Sequence, residues 1–212
     1  RMSNLKVRQI QSKLRSMFES DLDLFGIGEA DSERDVKILT RCLAAFGVYS
    51  ATGCTASEAA NSVWDGGDDN GIDAAYFDHV EKQVVIVQSK WIKSGSGEPQ
   101  AKEVSNFADG IKDLVENDID SFGERLKPKV EVISEALLHP GTTIRIILAT
   151  TGASEVAIHS RKKIDKFLTE LNDSEDDGIA TFNVFGMTEV FNGLASGSHA
   201  GKINLSATLL DW

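Results

Sequence analysis

The stretch that most limits what this chain can fold into is 72–91. Two apolar runs, Ile72–Asp78 and Gln83–Trp91, flank the turn-like His79-Val80-Glu81-Lys82. Each reads as a strand, because β-branched and aromatic residues fill it and turn-prone residues bound it. Val84–Val87 is apolar without a break. A strand with no polar alternation has no face to give to water, so it belongs inside a sheet covered on both sides. Helices must supply that cover.

The rest of the chain offers them. Residues 4–22 carry Val7, Ile10, Leu14, Met17 and Phe18 at helical spacing, with Lys6, Arg8, Lys13 and Arg15 largely off that stripe. Gly26–Ala30 reads as a linker. A second helix is expected from near Ser32, where Ser32 and Asp35 have capping-box spacing, to just before Gly47. Val48–Thr52 is a short strand candidate, and Thr55-x-x-Glu58 caps a brief helix through Val63. Asp65–Gly71, with three glycines and four Asp or Asn residues, is a loop. Ser94–Pro99 is a second loop, without the Lys-Ser/Thr ending of a phosphate-binding P-loop. Helices are expected over 101–116, over 129–138 and from about Ser154 to Leu171. Strands are expected at Thr143–Thr150 and Ala180–Phe185, exposed loops at 117–128 and Asp173–Gly178, and a short last helix from Thr188. Strands alternating with helices define an α/β fold, a central mixed β-sheet flanked by helices.

At 212 residues the chain is one domain, with 1–30 as an N-terminal helical extension and 31–195 as the core. Arg1 ahead of Met2 reads as an added residue, and the ending at Leu209–Trp212, with no polar tail, as the N-terminal part of a longer protein. Cys42 and Cys54 are too few and too far apart for a disulfide scaffold or a CxxC metal site. No apolar run of about eighteen residues crosses a membrane, and no signal peptide is legible, so a cytoplasmic location is expected. The net charge of −11 opposes casual binding to phosphate backbones. Apart from Glu19, Asp21 and Asp23, the acidity concentrates in Asp65–Asp78, Glu116–Asp120 and Asp173–Asp177, and a divalent cation held by such a cluster would reverse the local field.

The chemistry converges on the hairpin. Side chains alternate along a strand, so Gln88 and Lys90 share one face and Ser89 takes the other. Asp73 opens the neighbouring strand and can lie beside them. Hard cations take oxygen ligands: the Asp73 carboxylate, the Gln88 amide oxygen and the Ser89 carbonyl. Lys90 can orient a water or stabilise charge on a phosphorane-like transition state. A second reading stands beside this one: Asp73 as a turn residue after Asn70-Gly71, and Lys90 snorkelling at a strand end. Gln88 is harder to dismiss, because a buried amide must find partners.

The arrangement Gly71-Ile72-Asp73, an apolar strand, then Gln88-Ser89-Lys90 resembles the PD-(D/E)xK nuclease superfamily, in the Mrr-like branch that has Gln at the acidic position. The fuller string DGGDDNGID…VVIVQSKW resembles the N-terminal nuclease domain of AIPR (abortive infection, phage resistance) proteins. The resemblance implies a restriction-endonuclease-like fold and Mg²⁺- or Mn²⁺-dependent phosphodiester hydrolysis in phage defence, with DNA ahead of RNA as substrate. It casts Asp73 and Gln88 as metal ligands and Lys90 as the catalytic lysine. It also calls for an acidic residue on an early helix, which Glu33 matches best and Asp35 rivals. A neutral Gln88 favours a single cation. A non-catalytic nucleic-acid- or protein-binding scaffold on the same fold is the alternative.

Other candidates are weaker. With Gly71 at the sixth position of an EF-hand loop, the first ligand would be Gly66, so Asp65, Asp68 and Asp69 do not form one. Lys93 and Lys102 flank the Ser94–Pro99 loop and are candidate contacts to the nucleic-acid backbone. The 161–166 basic run reads as such a contact or as a solvated face. Trp64 and Trp91 read as stacking platforms or as core. A homodimer would suit double-strand cleavage by a one-site domain.

Overall fold

The computed structural model describes residues 2–152, 158–172 and 178–196. Helices α1 (Met2–Phe18), α2 (Arg34–Ala51) and α3 (Ala56–Asn61) precede the hairpin β1 (Ala74–Asp78) and β2 (Gln83–Lys90). Then come α4 (Ala101–Val115), α5 (Lys127–Leu137), β3 (Thr143–Thr150), α6 (Ile158–Asn172), β4 (Ala180–Phe185) and α7 (Met187–Ala195). The sheet order is β1-β2-β3-β4. β1 and β2 are antiparallel, while β2–β3 and β3–β4 are parallel. This is an α/β fold with a mixed sheet flanked by helices.

β2 is interior and buried from Val84 to Ser89, as its unbroken apolar run requires. Its residues divide between two cores. Val85 and Val87 pack with α1, α2 and α7. Val84 and Ile86 pack with α4 and α5. The same alternation sends Gln88 toward α4 and Ser89 toward α2. Val7, Ile10, Leu14 and Phe18 are buried in the first core, so α1 packs as part of it.

Four expectations about local structure fail. The second helix does not stop before Gly47, and Val48–Thr52 is not a strand; α2 runs on to Ala51. Gly47 is there for close packing: a Cβ would sit 2.7 Å from Val87 Cγ1. The Ser32–Asp35 capping box does not form, because the N-cap is Glu33 and Asp35 is bonded to Arg15 instead. The 117–128 segment is not wholly exposed, since Phe122 and Leu126 are buried, Phe122 edge-on to Trp64. The capping box at Thr55 and Glu58 does form. The expected helix start at Ser154 and most of the Asp173–Gly178 loop lie outside the described residues. No helix among the described residues is long and apolar enough to cross a membrane.

Candidate active site

The glycine-rich loop is clamped to the molecule from three sides. Asn70, at φ 53°, donates from Nδ2 to Asp113 Oδ2 of α4 at 2.8 Å. Its carbonyl rests on Gly110, where a Cβ would overlap the oxygen and stand 3.1 Å from the carbonyl carbon. The Asp68 carbonyl accepts from Gly123 N–H at 3.0 Å. From the α2 side, Arg41 donates from Nε to Asp65 Oδ2 at 3.2 Å. Arg41 is 3 % exposed, and its other nitrogens hold the Asp23 and Phe25 carbonyls at 2.5 and 2.8 Å.

So held, the loop brings Asp65 and Asp69 to Asp73. One carboxylate oxygen from each lies within 4.8 Å of the others. Burial pushes the Asp73 carboxyl well above the usual carboxylate range, and the charges of Asp65 and Asp69 push it further. Burial also raises Asp69, against the pull of loop N–H groups and with a push from Asp65. Asp73 Oδ2 accepts from Ser89 N–H at 2.6 Å and lies 3.0 Å from Ser89 Oγ. Ser89 Oγ is also 2.9 Å from the Thr40 carbonyl. Ser89 donates to Asp73 Oδ2 from both N–H and Oγ, and those bonds favour the charged carboxylate against the rise that burial causes.

Gln88 and Lys90 meet at α4. Gln88 Nε2 donates to the Gly71 carbonyl at 3.3 Å and the Glu103 carbonyl at 3.1 Å. Both amide hydrogens are thereby spent, which fixes the other end of the amide. Gln88 Oε1 is buried and has no partner. Lys90 Nζ is ion-paired with Glu103 Oε1, while Glu103 Oε2 accepts from Gln100 N–H at 3.0 Å in the α4 capping box. A polar cavity of about 480 Å³ opens here, walled by Asp69, Asn70, Gln88, Glu103, Asn106 and Asp109.

The structure places the expected residues unevenly. Gln88 and Lys90 share the α4 side and Ser89 the α2 side. Asp73 is bonded to Ser89, because the Ser89 N–H lies past the Ala74–Val87 pair that ends the β1–β2 ladder and needs an acceptor. Glu33 is exposed at the N-cap of α2, outside the carboxylate cluster. Lys93 and Lys102 are exposed. Trp64 and Trp91 are core residues, 1 % and 5 % exposed, and offer no face to a base. Sequence reasoning missed Asp65 and Asp69 as partners of Asp73, and Glu103 and Arg41 as supports. The one available signal was the recurrence of Asp at 65, 69 and 73 around glycines.

No protein-family model, curated protein or solved structure matches this chain.

Proposed function

We propose that this chain is a nuclease with a restriction-endonuclease-like fold. It hydrolyses phosphodiester bonds, in DNA ahead of RNA, with Mg²⁺ or Mn²⁺, and serves phage defence. The observation that carries the reading is Gln88 Oε1: a buried oxygen with no hydrogen-bond partner, on the same strand face as Lys90 and on a residue that shares a cavity wall with Asp69 of a half-buried carboxylate cluster. An unpaired buried acceptor costs about 1–3 kcal/mol, and a cation would remove that cost.

Asp73, Gln88 and the Ser89 carbonyl form an all-oxygen donor set suited to a hard cation. When bound, that cation supplies Lewis-acid polarisation and a more acidic water. Lys90 presents an ammonium to a phosphate oxygen on which negative charge builds. Glu103 holds Lys90 in place until substrate arrives. Glu33, exposed at the start of α2, enters as a water-mediated contact to the cation, and Lys93 and Lys102 as contacts to the phosphate backbone. A homodimer would serve double-strand cleavage.

The test is cleavage of circular and linear, single- and double-stranded substrates with Mg²⁺, Mn²⁺ and chelator. Asp73→Ala and Lys90→Ala should each abolish metal-dependent cleavage. Equal cleavage by wild type and both variants would mean contamination and end the reading. Binding of nucleic acid with no cleavage under any metal would favour the scaffold alternative.

A further inference from the structure

β1 is an edge of the sheet, and its outer side is only half covered. The Val63–Ala74 bridge and the bond from Ala75 N–H to the Ser62 carbonyl, at 3.1 Å, close its first residues. Ala75 therefore turns its N–H away from β2. Outward groups recur at every second residue of an antiparallel ladder, so Phe77 turns both its N–H and its carbonyl outward too. Neither has a backbone partner among the described residues. Phe77 faces Val84, at the opposite end of β2 from Lys90.

The two faces of this edge differ. On the Phe77 face, a cavity of about 460 Å³ is walled by Trp64, Ala75, Phe77, Val132 and Ile133. Val132, on α5, is 59 % exposed. On the Tyr76 face, a cavity of about 310 Å³ is lined by Cys54, Glu58, Tyr76 and Asp78. Thr55 takes Glu58 Oε2, and the Val80 and Glu81 N–H groups take Asp78 Oδ1. Glu58 Oε1 and Asp78 Oδ2 are left over.

We propose that the β1 edge binds an extended segment of a basic partner protein as an added antiparallel strand, with an apolar side chain in the Phe77 cavity and a basic one on either side of it, over Tyr76 and Asp78. One residue of the segment meets both outward groups of Phe77. Its side chain falls on the Phe77 face, and its neighbours fall on the other. Main-chain bonds supply affinity in this mode, and the alternate cavities supply specificity. Charge selects the partner. A second copy would set two acidic borders, and two chains of net charge −11, against each other. Strand addition here is independent of what Gln88 and Lys90 do.

The experiment titrates the full chain with four peptides, acetyl-Thr-Arg-X-Arg-Thr-amide, where X is Val, Ile, Leu or Phe. Amide NMR follows binding, and hydrogen exchange follows the Phe77 N–H. At least one peptide should bind and slow that exchange, and N-methylation at X should abolish both effects. Glu58→Gln and Asp78→Asn, which keep an acceptor for the local bonds, should each weaken binding about two- to fivefold, the scale of an exposed ion pair. Val132→Lys should weaken it as well. Peptides with Glu in place of Arg should not bind. Failure of all four peptides to bind, equal binding of the Glu peptides, or unchanged exchange at Phe77 overturns the site. Self-association of the free chain that protects Phe77 also overturns it, by giving the edge to a second copy.

Discussion

Gly110→Ala sets two rules against each other. Gly110 lies inside α4 and is buried. Helix propensity alone predicts that alanine there would stabilise the protein by about 1 kcal/mol. The structure predicts the opposite sign. The new Cβ would overlap the Asn70 carbonyl oxygen, which belongs to backbone and cannot rotate away. Asn70 is already at φ 53° and tied to Asp113. Either α4 and the loop separate or the loop gives. Overpacking of this kind costs about 1–3 kcal/mol. Losing the Asn70–Asp113 hydrogen bond adds about 1 kcal/mol. Against the propensity gain, the net expectation is a loss of about 1–3 kcal/mol.

The assay is urea denaturation of both proteins, with Mn²⁺ affinity measured on the same preparations. The loop that gives way leads into Asp73, so affinity should fall with stability. A gain near 1 kcal/mol with unchanged metal affinity would refute the reasoning. It would mean that the 65–71 loop does not rest on α4.

Three further outcomes follow from the same geometry. Burial raises the folded pKa of Asp73, so between the unfolded and folded values the native state holds the extra proton and stability falls as pH rises; in chelator, the melting temperature should climb on acidification through that window, and Asp73→Asn should flatten the climb, parallel profiles counting against it. Arg41→Leu removes a buried guanidinium from Asp65 and from two part-buried backbone carbonyls and should cost about 3–5 kcal/mol; a urea midpoint near wild type would contradict this. Cys42 is fully buried, its thiol pushed up to about 12 chiefly by burial, so a thiol reagent at pH 8 should reach it only after denaturation, which mass mapping of the modified peptides would check.

The strands were legible because periodicity is local. Thr143–Thr150 and Ala180–Phe185 appear at their expected bounds, and β2 is interior as its apolar run demands. The end of α2 was not legible, because Gly47 looks like a helix stop in one dimension. Its reason is Val87, forty residues away in sequence, across a helix–sheet contact. The site divides in the same way. Alternation on β2 separates Gln88 from Ser89, and that follows from strand geometry. The meeting of Asp65 and Asp69 with Asp73 depends on how Arg41, Gly110 and Asp113 seat an irregular loop, and no period encodes that. Glu103 becomes a neighbour of Lys90 and Gln88 only when α4 packs on β2.

The loop bears on the apparent weakness of a site that has glutamine where a carboxylate is usual. Gln88 brings no charge, and a site of Asp73 and Gln88 alone would hold a divalent cation weakly. Its neutrality has a structural use, however. An amide can spend two hydrogens on the Gly71 and Glu103 carbonyls, which a carboxylate cannot do, and so it pins the loop to α4 while still presenting an oxygen. The glutamine thereby serves as the residue that ties the acidic loop to α4. Gln88→Glu would add a charge at that position but give up both hydrogen bonds that tie the loop to α4.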